Sequence, residues 1–378
     1  MRLPQPANRL VARRRAPVRR ALLAPALVLL ALLAPLADAS PVAAAAAPSK
    51  VSSAWLPSWD MANAYRAVVA NADLIRTASP FWYAAGSCTS VTGRPGAGRT
   101  SVIDGLHART IAVVPTIAST IAPSAAVSCF GSAAGRRKHV AAVMAVVRSR
   151  RYDGIDLNYE QLALTTSPST ARRVRTAYTA FVTDVCAALR RARKQCVVTV
   201  MPRTDDSFAV WRSKLIPAVY DYAALGAAAT TLRVMAYDQH APNTAPGPVG
   251  GYPWTAAVAR YTRSRVNPGK VELGLPLYGR DWGARGATTV TAPRARALAA
   301  RYHAPVVHDA AQQAPRFRYR AGGVTHTVWF SDAASVRERF RLARASGFRG
   351  TALWAPGQEE PATWPALRAA VHAPTRGS

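Results

Sequence analysis

Asp153-Gly154-Ile155-Asp156-Leu157-Asn158-Tyr159-Glu160 reads as a buried β-strand that ends on a carboxylate. Apolar Ile155, Leu157 and Tyr159 alternate with polar Asp156, Asn158 and Glu160. Residues two apart in a strand share a face, so acid, amide and acid project to one side while the other side can pack on helices. Stacking three polar groups on a buried face costs desolvation unless that face lines a polar site. An acid at the end of such a strand suits proton transfer.

Outward from this octet, strand-like runs recur at residues 51–59, 81–84, 110–118, 196–202, 232–237, 271–278 and 350–354. Helical spacing separates them. In residues 169–195, for instance, Val174, Tyr178, Phe181, Val182, Val185 and Leu189 form one apolar stripe, with Arg172, Arg173, Arg190 and Arg193 largely off it. Eight strands alternating with helices predict an α/β fold with a parallel sheet, and eight is the number that closes a (β/α)8 TIM barrel. Between the seventh and eighth strands the rhythm breaks. Residues 292–302 read as a helix, and 317–319 and 326–330 flank Gly322-Gly323 as a hairpin. A small α+β insertion, about residues 283–345, is expected to form one wall of a cleft.

The chain has 378 residues, half of them hydrophobic, enough for one large domain or two ordinary ones. Arg13, Arg14, Arg15, Arg19 and Arg20 precede an apolar run at 21–36, and Ala37-Asp38-Ala39 fits a small-x-small cleavage site. Residues 1–39 are therefore expected to be a secretory signal peptide, with an uncleaved membrane anchor as the second reading because the apolar run is short and holds Pro25 and Pro35; 40–50 are expected to be an Ala-rich linker and 51–372 the catalytic barrel. With the leader removed no membrane span is expected. A secreted or cell-wall-associated monomer follows.

Cys88, Cys129, Cys186 and Cys196 suit two disulfides in an exported protein. Of the three possible pairings, Cys186–Cys196 is favoured because it would clip a helix end to the next strand, which leaves Cys88–Cys129. Neither these cysteines nor His240, His303 and His308 with Asp309 match a metal-ligand spacing, so no metal is expected. No cofactor is expected either. The formal net charge is +30, and removing residues 1–39, with seven Arg and one Asp, leaves +24. Such a charge favours polyanions such as an acidic cell wall. Nucleic acid is not expected, because the basic residues are scattered and form no recognition motif.

The octet resembles the D-G-x-D-x-D-x-E signature of glycoside hydrolase family 18, the chitinase-like enzymes. Met235-Ala236-Tyr237-Asp238 is similar to the family's M-x-Y-D on the sixth strand, Gly274-Leu275-Pro276-Leu277-Tyr278-Gly279 to its seventh-strand motif, and Trp354 to its eighth-strand tryptophan. Gly247-Pro248-Val249, Trp254, Val328-Trp329-Phe330 and the closing run from Leu353 to Glu359 resemble the bacterial branch of spore-cortex and peptidoglycan N-acetylglucosaminidases. The resemblance implies a retaining glycosidase acting on β-linked N-acetylglucosamine-containing polysaccharide by substrate-assisted catalysis, in which the N-acetyl oxygen replaces an enzyme nucleophile. It makes Glu160 the general acid, Asp156 its electrostatic neighbour, Asn158 the acetamido-orienting residue and Tyr237 a donor to the acetamido oxygen. Asp238, Met235, Tyr83 and Tyr278 would contact the sugar, and Trp354 would form the floor beneath it. Trp55, Trp59, Trp82 and Trp282 are read as core residues before sugar platforms.

Two departures stand out. The orienting position is usually Asp, and Asn158 cannot stabilise positive charge on the oxazoline, so a slower rate or a bias toward transfer is expected. It also keeps open a catalytically weak or silent carbohydrate-binding barrel. Pro115-Thr116-Ile117-Ala118-Ser119 lacks the S-x-G-G of true chitinases, which favours peptidoglycan over chitin or N-glycans.

Overall fold

A computed structural model describes residues 50–212 and 214–373. The expected leader, and all of the expected linker but Lys50, lie outside them. The chain enters β1 (Ser52–Leu56), then α1 (Met61–Ala70), β2 (Ile75–Pro80), β3 (Tyr83–Ala85), the short β4 (Thr92–Gly93) and α2 (Thr100–His107). Next come β5 (Ala112–Val113), β6 (Thr116–Ser119), α3 (Pro123–Gly131), α4 (Ala133–Ser149), β7 (Gly154–Asn158), α5 (Pro168–Arg191) and β8 (Gln195–Val200). α6 (Tyr222–Ala228), β9 (Thr231–Val234), α7 (Tyr252–Arg265) and β10 (Val271–Pro276) lead to an antiparallel excursion, after which α9 (Ala333–Ala345), β16 (Gly350–Trp354) and α10 (Thr363–His372) complete the ring.

The parallel pairings close a circle. β1 pairs with β2, β2 with β5, β3 with β6, β6 with β7, and so on through β8, β9 and β10 to β16, which returns to β1. β2 with β3, and β5 with β6, are interrupted halves of single barrel strands, so the ring has the eight positions of a (β/α)8 barrel. The second strand starts earlier than the sequence predicts, at Ile75. Its stretch Ile75-Arg-Thr-Ala-Ser-Pro80 carries no apolar run because Thr77 and Ser79 are buried in a polar barrel interior.

The excursion is a five-stranded antiparallel sheet ordered β12 (Gly286–Thr291), β11 (Tyr278–Gly283), β15 (Val324–Phe330), β14 (Ala314–Ala321) and β13 (Val307–Asp309), covered by α8 (Ala292–Arg301). The expected hairpin is β14–β15, and Gly322 and Gly323 take the positive φ angles its tight turn requires. The insertion is shifted from the expected 283–345. It begins with β11, and α9 packs on β10 and β16 as an ordinary barrel helix.

Local chemistry explains the elements that carry the site. α5 starts where the Ser167 hydroxyl accepts from the Thr170 amide and Pro168 pre-sets the first turn, and ends on Arg190 and Arg191. The six stripe residues named above are all buried on it. Cys186 at its end is bonded to Cys196 on β8, and Cys88 to Cys129, the pairing expected. No helix among the described residues is long and apolar enough to cross a membrane.

Candidate active site

The polar face of β7 points into the barrel. Asp156 is fully buried and accepts from Trp55 Nε1 (2.8 Å), Thr116 Oγ1 (2.9 Å), Thr199 Oγ1 (2.7 Å) and Arg233 Nη1 (3.3 Å). Indole and guanidinium can only donate, so Asp156 is held as an acceptor. Arg233, also buried, reaches Ser79 Oγ at 2.6 Å and Glu272 Oε2 at 2.7 Å, and Ser53 Oγ donates to the other Glu272 oxygen at 2.8 Å. One cation thus sits between two buried carboxylates in the middle of the barrel, which is what lets all three stay inside.

One step toward the rim, Asn158 is 3 % exposed and its Nδ2 donates to Glu160 Oε1 at 2.7 Å. Its Oδ1 is buried without a partner among the described residues. Glu160 follows the strand in a 3-10 turn, Glu160–Ala163, and meets solvent while protein crowds it on its other sides. Desolvation raises its pKa above the usual carboxylate range. The Asn158 hydrogen bond and the Arg212 charge oppose this, and the Asp238 charge adds to it. The negative charge that raises the Glu160 pKa is that of Asp238, whereas Asp156, expected from the sequence as its electrostatic neighbour, acts on Tyr237.

Opposite β7, Tyr237 is 8 % exposed and stacks on Trp354 with ring centres 6.5 Å apart and planes 13° apart. Trp55 meets both rings edge-on. Burial and the charges of Glu160 and Asp238 raise the Tyr237 pKa, so the phenol keeps its proton to donate. Gly274 leaves room for this ring, since a Cβ there would stand 3.0 Å from it. Asp238 adopts φ 57° and its Oδ1 accepts from Tyr278 and Arg280. Its carbonyl accepts from Arg212 Nη1 at 2.7 Å.

Glu160, Asn158, Tyr237, Asp238 and Trp354 share the C-terminal mouth of the barrel, and Asp156 lies beneath them. Tyr278 and Met235 are buried beside them, Tyr278 as a prop for Asp238. Tyr83 is elsewhere. It pairs in register with Ile117, which pairs with Leu157, so it shares the outward face of the wall, and its hydroxyl bonds Tyr152 at 2.8 Å. Its assignment to the sugar site is corrected accordingly. Trp55, Trp82 and Trp282 are core residues as expected, but Trp59 is 68 % exposed, edge-on to Trp354 at 5.9 Å, and borders a groove of about 560 Å³. Arg233, Glu272 and Arg212 escaped the sequence reading. A lone charge inside an apolar strand, as in Thr231-Leu232-Arg233-Val234 and Val271-Glu272-Leu273, was the available signal for the first two. No cluster of three or more His, Cys, Asp or Glu placed to hold a metal occurs among the described residues.

A "Cortical fragment-lytic enzyme" of Bacillus anthracis is 33% identical over 176 residues, which are 44% of this chain and 39% of that enzyme. The chain thus spans about two fifths of that curated relative's length. A chitinase from Chromobacterium violaceum superposes with a TM-score of 0.76 and 26% identity over 86% of this chain and 100% of that one. The Bacillus cereus spore cortex-lytic enzyme SleL shares the fold, with a TM-score of 0.73 and 22% identity over 84% of this chain and 73% of that one. The model of the glycosyl hydrolases family 18 matches residues 120–359, more than half of the chain and every strand from β7 to β16. The chain belongs to that family.

Proposed function

We propose that this chain is an exported retaining glycosidase that hydrolyses β-linked N-acetylglucosamine-containing polysaccharide, peptidoglycan before chitin-like polymers. The observation that carries this reading is Glu160, held at the mouth of β7 with a raised pKa, while the other acids of the site are engaged. Asp156 is bound by four donors, and Asp238 by Arg280 and Tyr278. With Asp156 buried and Asp238 held through Oδ1 by Arg280 and Tyr278, the nucleophile is the substrate's own acetamido oxygen.

Glu160 then protonates the glycosidic oxygen as the acetamido oxygen bonds to the anomeric carbon and the leaving sugar departs. The unpartnered Asn158 Oδ1 accepts from the acetamido N–H, and the Tyr237 hydroxyl donates to its oxygen. Trp354 supplies the apolar floor, and the exposed Trp59 edge-on to it extends that surface. The Glu160 carboxylate next takes a proton from the water that opens the oxazoline, which restores the acid and retains configuration. The absent S-x-G-G on β6 and the relatives named for spore cortex support peptidoglycan. The Chromobacterium chitinase keeps chitin-like polymers as the second class.

The test incubates the purified protein and Glu160→Gln with peptidoglycan, chitin oligomers and a high-mannose glycan. New reducing ends on N-acetylglucosamine, falling in the variant by roughly 10²- to 10⁴-fold, are expected. Binding without release by either protein would sink the reading and leave a silent sugar-binding barrel.

A further inference from the structure

The helical side of Tyr159 holds a buried polar chain that the reaction above does not use. Tyr159 lies between Asn158 and Glu160, and its side chain points away from the cleft into the layer of α3, α4 and α5. There His139, fully buried on α4, faces the Tyr159 hydroxyl at 2.7 Å through Nε2 and the Cys88 carbonyl at 3.1 Å through Nδ1. A carbonyl can only accept, so Nδ1 carries the proton, Nε2 accepts, and the Tyr159 hydroxyl is the donor. Every role in the chain is therefore fixed.

Phe130 and Phe181 enclose the imidazole with ring centres 5.2 and 5.0 Å away. Burial pushes its pKa down to about 4, so it remains neutral at ordinary pH. The Tyr159 carbonyl is held as well. It accepts from the buried Tyr220 hydroxyl at 2.9 Å and from the Leu162 amide at 3.3 Å, the bond that opens the turn carrying Glu160. Cys88, which supplies the far acceptor, is tied by its disulfide to Cys129 at the end of α3.

We infer that His139 and Tyr159 are positioning residues for Glu160, and that the Cys88–Cys129 disulfide anchors them. The Glu160 backbone has one residue between it and the strand, and that residue is clamped by ring and by carbonyl. Loss of the ring clamp lets the turn rotate and moves the carboxyl relative to the glycosidic oxygen, while the sugar contacts of Trp354 and Tyr237 stay in place. The inference rests on Glu160 being the proton donor.

The test compares wild type with Tyr159→Phe, which removes one hydroxyl, and with His139→Phe and His139→Gln. Misplacement of a reacting group by a fraction of an ångström predicts about tenfold lower kcat with unchanged KM for Tyr159→Phe and His139→Phe. His139→Gln, which keeps a donor and an acceptor, should recover much of the loss. Paired replacement of Cys88 and Cys129 by Ser leaves the relay side chains intact and should lower kcat in the same way. It also serves if the His139 variants fail to fold. Hydrogen exchange at the Leu162 amide reads the clamp without substrate and should be faster in each impaired variant. Wild-type kcat and wild-type Leu162 exchange in folded Tyr159→Phe and in the cysteine pair would overturn the inference. Failure of the wild-type protein to cut any substrate would instead overturn the reading of Glu160, with the exchange result still testing the clamp.

Discussion

Asn158 gives its amide N–H to Glu160, where a carboxylate would present a like charge. Asn158→Asp removes a donor that lowers the Glu160 pKa and adds repulsion that raises it. A raised carboxylate pKa keeps the acid protonated to higher pH, and activity is lost as pH rises through it. The alkaline limb of kcat/KM is therefore expected to move up by roughly one pH unit in the variant. Turnover should rise too, because the carboxylate offsets positive charge on the oxazoline. A pH–rate series on one substrate checks both, and an unmoved limb with unchanged or lower turnover contradicts them. At this scale the sequence was informative wherever a residue stood in a motif: Glu160, Asn158, Tyr237 and Trp354 meet where strand parity and the motifs put them. The expected sugar contact of Tyr83 was misplaced, since an aromatic in a short strand does not by itself say which face of the sheet it occupies. Nor could the motifs reveal that Arg233 pairs with Asp156 and that the charge acting on Glu160 is that of Asp238.

The eight strands illustrate how far an apolar pattern reaches. Runs such as residues 271–278 and 350–354 announced themselves, because their outward faces are apolar against the helices. Ile75–Pro80 did not, because this barrel is lined by Ser53, Thr77, Ser79, Thr116, Thr199, Arg233 and Glu272 rather than by layers of branched apolar side chains. The polar lining makes the strands interdependent through charge. Arg233→Met would strand Asp156 and Glu272 without their shared cation, and a loss of about 3–5 kcal/mol in unfolding free energy is expected from denaturant titration. Adding Asp156→Asn and Glu272→Gln to that variant should return part of it. A loss below about 1 kcal/mol for the single variant would show that the pairing across β7, β9 and β10 is dispensable.

Across the whole molecule, charge and covalent linkage set the conditions under which the site works. The net +24 that remains without residues 1–39 comes mostly from scattered arginines, so attraction to a polyanion such as an acidic wall would be long-range and screened by salt. Retention on wall fragments is expected to fall sharply between about 0.1 M and 1 M salt. Turnover of short uncharged chitin oligomers should change little over the same range, since stacking on Trp354 does not depend on net charge. Equal salt sensitivity in both assays would refute this separation. The cysteine pairing adds a second condition. A bond between residues 41 positions apart forms only where the surroundings oxidise thiols, yet it supports the carbonyl on which the His139–Tyr159 clamp ends. The same chain kept reduced would fold its barrel with a loose acid, and would acquire full cutting power only on reaching an oxidising compartment. On the proposed function, the linkage would then be a safeguard of place, leaving the acid loose until the chain meets an oxidising compartment.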